Sequence, residues 1–294
     1  MSEYKSIEQM VADAENRHIR VCDVMLREQS KDSGVPQDQV FAEMEERVRI
    51  MERSVVNGLK PGVRSRSGLT GGDAYRLAQY GAAHDTLLGG AFSRLIARAL
   101  AVSEYNASMG KIVACPTAGS AGVMPACLVT LIEDEGVSYQ DAVMSTFTAA
   151  GFGLIIARNA CVAGAVGGCQ AEIGSAAAMA AGAIVEAKGG TPRMASHACA
   201  IAIKSVLGLV CDPVAGLVEI PCIKRNAMGA VVAFMAAQEA LAGIESKIPV
   251  DETIDAMNRV GRRLPESLRE TGTGGLAATP TGVFLRTKAF GERR

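Results

Sequence analysis

From residue 139 to residue 241 the chain reads as one helical segment after another, each built largely of small apolar residues and each cut off by glycine or proline. The spacing predicts helices over 139–157, 171–188 and 223–241, with a glycine-broken segment ending at Gly168 between the first two. Gly189-Gly190 ends the second of these, and Thr191-Pro192 forms an N-cap and first-turn pair for a further helix that stops near Gly208. Alternating strand patterns are scarce, and no repeat or low-complexity linker is visible. A chain rich in Ala, Gly, Val, Ile, Leu and Met is suited to close helix packing through small residues. The expected fold is therefore mostly α: a single helical domain over 1–294, with loops between helices. The first sixty or so residues can pack as a helical lobe, although no linker marks a boundary.

The first half has the same character. Val40, Phe41, Met44, Val48, Met51 and Val55 recur at three- and four-residue steps, which predicts an amphipathic helix over 38–57, ended by Asn57-Gly58 with Pro61 beyond. An irregular stretch over 64–73 leads to a helix starting at Asp73. Another helix is expected over 92–108. A small-residue loop over 110–122 then opens onto a helix over 123–132.

Charge excludes several classes of function. Thirty basic and 31 acidic residues leave a net charge of −1, so nothing favours nucleic acid or an anionic membrane surface. Aromatic residues make up 4% and Trp is absent, which leaves few platforms for stacking bases. The charge-poor stretches 142–157 and 171–185 are each shorter than about twenty residues and read as buried core helices rather than membrane spans. Residues 1–20 are polar and carry no secretory signal, so a cytoplasmic location with reduced thiols is expected.

Reduced thiols turn attention to the eight cysteines. Cys169, Cys211 and Cys222 each lie in a glycine- or proline-marked break: Gly167-Gly168-Cys169-Gln170, Cys211-Asp212-Pro213 and Ile220-Pro221-Cys222-Ile223. Thiols in such breaks can point at a shared centre, and three soft ligands without a fourth suit an iron–sulfur cluster with one iron open to substrate. Cys169 and Cys222 stand just before predicted helices, whose N-termini favour a thiolate. The spacing matches neither a ferredoxin nor a zinc ribbon, and buried cysteines acting as small hydrophobes remain an alternative.

Longer motifs bear on the choice. Residues 167–174 (Gly-Gly-Cys-Gln-Ala-Glu-Ile-Gly), 207–230 (from Leu-Gly-Leu-Val-Cys-Asp-Pro through Glu-Ile-Pro-Cys-Ile-Lys-Arg-Asn) and 116–122 (Pro-Thr-Ala-Gly-Ser-Ala-Gly) closely resemble the iron–sulfur-dependent L-serine dehydratases. So do 67–73 (Ser-Gly-Leu-Thr-Gly-Gly-Asp) and 269–282 (from Arg-Glu-Thr-Gly to Thr-Pro-Thr-Gly). The chain is most similar to the separate alpha chain of the two-subunit type. That resemblance implies a lyase in which Cys169, Cys211 and Cys222 bind a [4Fe-4S] cluster, whose unligated iron takes the serine carboxylate and β-hydroxyl. A base removes the α-proton; loss of water gives aminoacrylate, which tautomerises and hydrolyses to pyruvate and ammonia. The resemblance also implies a beta chain as partner, and it admits a monovalent cation as a further cofactor. In single-chain relatives a C-terminal cysteine can occupy the open position; here the sequence ends Phe290-Gly291-Glu292-Arg293-Arg294.

The resemblance places two loops near the substrate L-serine. Thr117, Gly119 and Ser120 offer hydroxyls and N–H groups at a helix entrance, and Thr70 and Gly71 offer the same chemistry. Tight helix connections that need glycine would look alike. Asn106, Asn159, Glu172, Arg225 and Asn226 are further polar candidates. The general base is not identifiable: His18, His84 and His197 lie outside every motif, so the beta chain is expected to complete proton transfer. Cys115 stands where relatives more often carry a small non-thiol residue, and with Cys22, Cys127, Cys161 and Cys199 it is read as packing.

Three rival readings stay open. The same architecture could eliminate another leaving group, such as sulfide from L-cysteine. A pyridoxal-phosphate dehydratase could use Lys204 and the Gly272–Gly275 turn, but it would need a large α/β domain. A non-catalytic scaffold could hold zinc for stability.

Overall fold

The computed structural model describes residues 4–291. The described residues form thirteen α-helices, with short 3₁₀ turns between some of them and no β-strand. One isolated parallel bridge joins Cys211 to Arg269. The large α/β domain that a pyridoxal-phosphate enzyme needs is not present among them.

The helices are α1 (Ile7–Arg17), α2 (Val21–Ser33), α3 (Gln37–Gly58), α4 (Asp73–Ala83), α5 (Gly89–Ala107), α6 (Val123–Glu133), α7 (Tyr139–Asn159), α8 (Gly164–Gly167), α9 (Ser175–Ala187), α10 (Pro192–Ser205), α11 (Cys222–Leu241), α12 (Val250–Arg263) and α13 (Pro280–Phe290). The expected helices are all present, most within two or three residues of their predicted ends. Two details differ. The segment expected to run from 171 begins with a π-helical turn, Gln170–Gly174, before α9 proper, and Cys222 is the first residue of α11 rather than the residue before it. Helices α12 and α13 lie beyond 241, where no helix was expected.

Helix α9 is the axis of the molecule. Every residue from Ser175 to Glu186 is buried, and α6, α7, α10 and α11 all pack against it. A helix that is small and apolar on every side can be surrounded in this way, and alanine allows the neighbours close. Gly182 brings α9 onto the Phe152 ring of α7: a Cβ there would lie 2.6 Å from the ring. Helix α7 is long and apolar enough to cross a membrane, but most of it is buried against α2, α9 and other helices.

The first three helices share this core. Ile7, Met10, Val21 and Val48 belong to the same buried cluster as Met124, Phe152 and Ile254. The Asp251 carboxylate on α12 accepts from the N–H groups of Ile7 (2.9 Å) and Glu8 (3.0 Å), stitching the start of α1 to the other end of the chain. Deep in the core, Glu186 accepts from Cys22 N (3.0 Å) and Thr148 Oγ1 (2.5 Å), so its buried carboxylate is satisfied by α2 and α7. Burial raises the pKa of Glu186, against the pull of these hydrogen bonds.

The capping signal at Thr191 is realised. Its hydroxyl oxygen accepts from Met194 N at 3.2 Å and Pro192 takes the first turn of α10. Thr191→Ala is expected to lower unfolding free energy by about 1 kcal/mol, read as a shift in the urea midpoint without a change in slope.

Candidate metal centre

Three separate segments deliver the three candidate thiols. Cys169 follows Gly168 at the head of the π-turn, Cys211 lies in the extended strip bridged to Arg269, and Cys222 opens α11. All three side chains are buried. They lie near enough to act on one another: negative charge on Cys169 and Cys222 raises the pKa of Cys211, and charge on Cys169 raises that of Cys222.

The strip carrying Cys211 is fixed on both sides. Cys211 N donates to Leu268 O (2.9 Å), and Glu270 N donates to Cys211 O (2.7 Å). Beside it, Asp212 accepts from Arg225 Nη2 (2.9 Å) and from Leu276 N (2.8 Å), while Arg225 Nη1 donates to Val210 O (2.7 Å). Arg225, a candidate for meeting a substrate carboxylate, is thus committed to holding the cysteine strip against α11.

Helix N-termini were expected to favour the thiolates, but burial outweighs that effect. Loss of solvent pushes Cys169 up to about 11, with the Arg225 guanidinium holding part of the shift back. It pushes Cys222 up to about 12, and Cys211 rises as well. Cys169 does stand at the N-terminus of a helix, since the π-turn runs unbroken into α9, but desolvation of an anion is the larger effect.

Carboxylates crowd the same place. One oxygen each of Glu172 and Glu270 and the sulfur of Cys211 lie within 4.8 Å of one another. Glu172 is buried, burial raises its pKa, and the Thr117 hydroxyl donates to it at 2.8 Å. Two glycines make room for it. A Cβ on Gly164 would lie 2.8 Å from Glu172 Oε2 and 2.9 Å from Cys211 Sγ, and one on Gly119 would lie 3.0 Å from Glu172 Oε1. Glu270 had no expected role, although its motif was recognised; its backbone takes φ 63°, an uncommon conformation for a non-glycine residue.

The loop with Thr117, Gly119 and Ser120 lies against this group. Asn226, fully buried on α11, donates to Gly119 O (2.8 Å) and Cys222 O (2.9 Å) and accepts from Gly122 N (2.9 Å). Ser120 is buried, and its hydroxyl stands 3.1 Å from that of Thr117. Asn106 Nδ2 donates to Ala118 O (3.2 Å), supporting the same loop from α5.

The loop with Thr70 and Gly71 reaches the centre through Glu219, three residues before Cys222. Glu219 accepts from Ser67 Oγ (2.8 Å) and Thr70 Oγ1 (2.6 Å). The N–H groups of Gly72, Asp73 and Ala74, at the start of α4, point to the buried carboxylate of Glu104. That helix entrance therefore already has an anion of its own.

Other candidates lie elsewhere. Asn159 donates to Lys5 O near the N-terminus. His18 caps α1, His84 stacks on Tyr80, and His197 sits among Glu245, Arg193 and Glu8. Cys22, Cys127 and Cys199 are buried as expected, whereas Cys161 is only half-buried, with its sulfur 3.3 Å from Ala163 N and Ala163 O in a turn. Cys115 is half-buried and raised to about 12 by loss of solvent.

Thiols and carboxylates from three motif-bearing stretches, 167–174, 207–230 and 269–282, are thus brought together in a helical molecule. The comparisons with known proteins give the family. Residues 16–277 match the family described as "Serine dehydratase alpha chain", and the chain belongs to that family. It is 48% identical over 288 residues to the "Probable L-serine dehydratase, alpha chain" of Bacillus subtilis, covering 98% of this chain and 96% of that one. It is 44% identical over 270 residues to the "L-serine dehydratase, alpha chain" of Peptoniphilus asaccharolyticus, covering 92% of each. It is also 42% identical over 181 residues to "L-serine dehydratase TdcG" of Escherichia coli, covering 61% of this chain and 40% of that protein.

Proposed function

We propose that this chain is the cluster-bearing half of a two-chain L-serine dehydratase, releasing pyruvate and ammonia from L-serine. Its family makes it a lyase; the substrate follows from the names its relatives carry. The cluster reading is supported by three buried thiols, Cys169, Cys211 and Cys222, brought by three separate segments and near enough for the charge of one to raise the pKa of another. The donor set fits a [4Fe-4S] cluster held by three cysteines. Beside Cys211, the buried Nε of Arg269 meets no acceptor among the described residues, which suits a site completed by another group. Bound by Cys169, Cys211 and Cys222, the cluster would supply a Lewis acid that makes the serine β-hydroxyl a viable leaving group.

The chain's own residues bind and orient. Thr117, Gly119 and Ser120 on one side, with Thr70 and Gly71 on the other, present hydroxyls and backbone groups toward the substrate. Burial of the thiols and of Glu172 excludes water from the cysteine side. The beta chain completes proton transfer, since no histidine of this chain lies among the motif residues. Reduced, unpaired cysteines agree with a cytoplasmic enzyme of amino-acid degradation.

Anaerobic purification followed by iron and sulfide analysis tests the cluster directly. About four irons and four sulfides per chain are expected, with pyruvate formed from L-serine in the presence of the beta chain and lost on exposure to air. L-Cysteine and L-threonine assayed beside L-serine read the leaving-group preference. Zinc without sulfide would overturn the cluster and leave the scaffold reading.

A further inference from the structure

The four motifs of the centre are joined in pairs by one kind of bond. Glu219, between Cys211 and Cys222, accepts hydrogen bonds from the hydroxyls of Ser67 and Thr70. Glu172, three residues after Cys169, accepts one from the hydroxyl of Thr117. Both carboxylates are more than nine-tenths buried, and each grips a loop distant in sequence. Hydrogen bonds to a buried charged acceptor are stronger than neutral ones and have no water to replace them. The oxygens of the two loops are therefore set by the segments that carry the cysteines.

We propose that Glu219 and Glu172 are positioning residues that hold the two hydroxyl loops in register with the thiols, Glu219 fixing 65–72 and Glu172 fixing 116–122. The role in catalysis rests on the cluster reading above; the tether itself does not. With two oxygens, Glu219 holds both Ser67 and Thr70, so the turn between them is clamped at both ends. Ser67 and Ser65 hydroxyls also accept from Leu69 N (3.0 Å) and Thr70 N (3.2 Å), which passes that clamp into the loop backbone. On the other side, Gly119 and Gly164 leave free the space that a Cβ would take from the Glu172 carboxylate where it accepts from Thr117.

The test compares Glu219→Ala and Glu219→Gln with the wild type in the full chain, metal-free and anaerobically reconstituted, with the beta chain present for kinetics. Hydrogen exchange over 65–72 is expected to speed up in Glu219→Ala by roughly tenfold or more in both forms, while 116–122 exchanges as in the wild type. KM for L-serine should rise by a similar factor with iron content unchanged, and Glu219→Gln, which keeps one of the two accepting oxygens and so one of the two hydroxyl bonds, should fall between wild type and Glu219→Ala on both. A merely structural role would lower the active fraction, and so kcat, with KM unmoved. Thr117→Val should give the complementary pattern, with faster exchange over 116–122 only. If Glu219→Ala does not fold, the double variant Ser67→Ala, Thr70→Val removes the same bonds from the loop side and is held to the same exchange result. Exchange over 65–72 and KM both within twofold of wild type would overturn the proposal. A wild-type chain that takes up no iron would sink the cluster reading instead, and the metal-free exchange contrast would still decide the tether.

Discussion

Cys211→Ala is expected to leave a folded protein that no longer retains iron and forms pyruvate from L-serine more than about a hundredfold more slowly, a larger loss than removing a residue that merely supports a ligand. Cys211 separates folding from metal binding because its backbone is held from both sides, by Leu268 O and Glu270 N. Neither bond involves the thiol, so the strip has no reason to move when the sulfur goes. Far-ultraviolet circular dichroism should match the wild type while iron analysis falls toward zero. Cys199→Ala is the control: Cys199 is equally buried, on α10 and remote from the centre, and should keep both iron and activity. Retention of iron by Cys211→Ala would remove it from the ligand set.

The second large effect concerns the fold alone. Gly58 lies where α3 crosses α5, and a Cβ added there would sit 2.0 Å from Ala101 O and 2.8 Å from Ala101 Cα. Those are backbone atoms of another helix and cannot swing aside. Gly58→Ala is expected to cost about 3 kcal/mol, the upper end for overpacking, and to lower Tm by roughly 6 °C for a chain of this size. Gly34 makes the contrast. It caps α2 at φ 70° with open space around the missing Cβ, so Gly34→Ala meets only left-handed strain of about 1–2 kcal/mol. Thermal melts of the two variants should rank them in that order.

Gly58 also marks how far sequence reasoning reaches. Asn57-Gly58 correctly places the end of α3, yet the glycine is needed for contact with Ala101 rather than for a turn; the residue after it, Leu59, has an ordinary φ of −79°. A boundary is a local property, whereas a helix crossing depends on two segments at once. The cysteines follow the same division. Their positions in breaks between helices, and the motifs around them, are legible locally. The carboxylate that grips Thr70 lies 149 residues away, and the one that grips Thr117 lies 55 away, and no periodicity connects such pairs. The π-turn at Gln170–Gly174 escapes for another reason: over five residues its apolar pattern is the same as that of an α-helix. Helix α12, by contrast, is legible, with Val250, Ile254, Met257 and Gly261 along one face and charges on the other, the same pattern that predicts α3.

The alanines of α9 have a thermodynamic consequence for the centre they lead into. Alanine has no rotamers to lose, so ordering this helix costs backbone freedom and almost no side-chain entropy. Met179, Ile184, Val185 and Glu186 are the larger side chains along it, and they fall mostly at the end away from Cys169. The half nearer the thiols thus has few alternative side-chain arrangements, and heating should release little conformational disorder there. Methyl relaxation along α9 is expected to report a stiff segment beside Cys169, with residual motion gathered toward Ile184 and Val185.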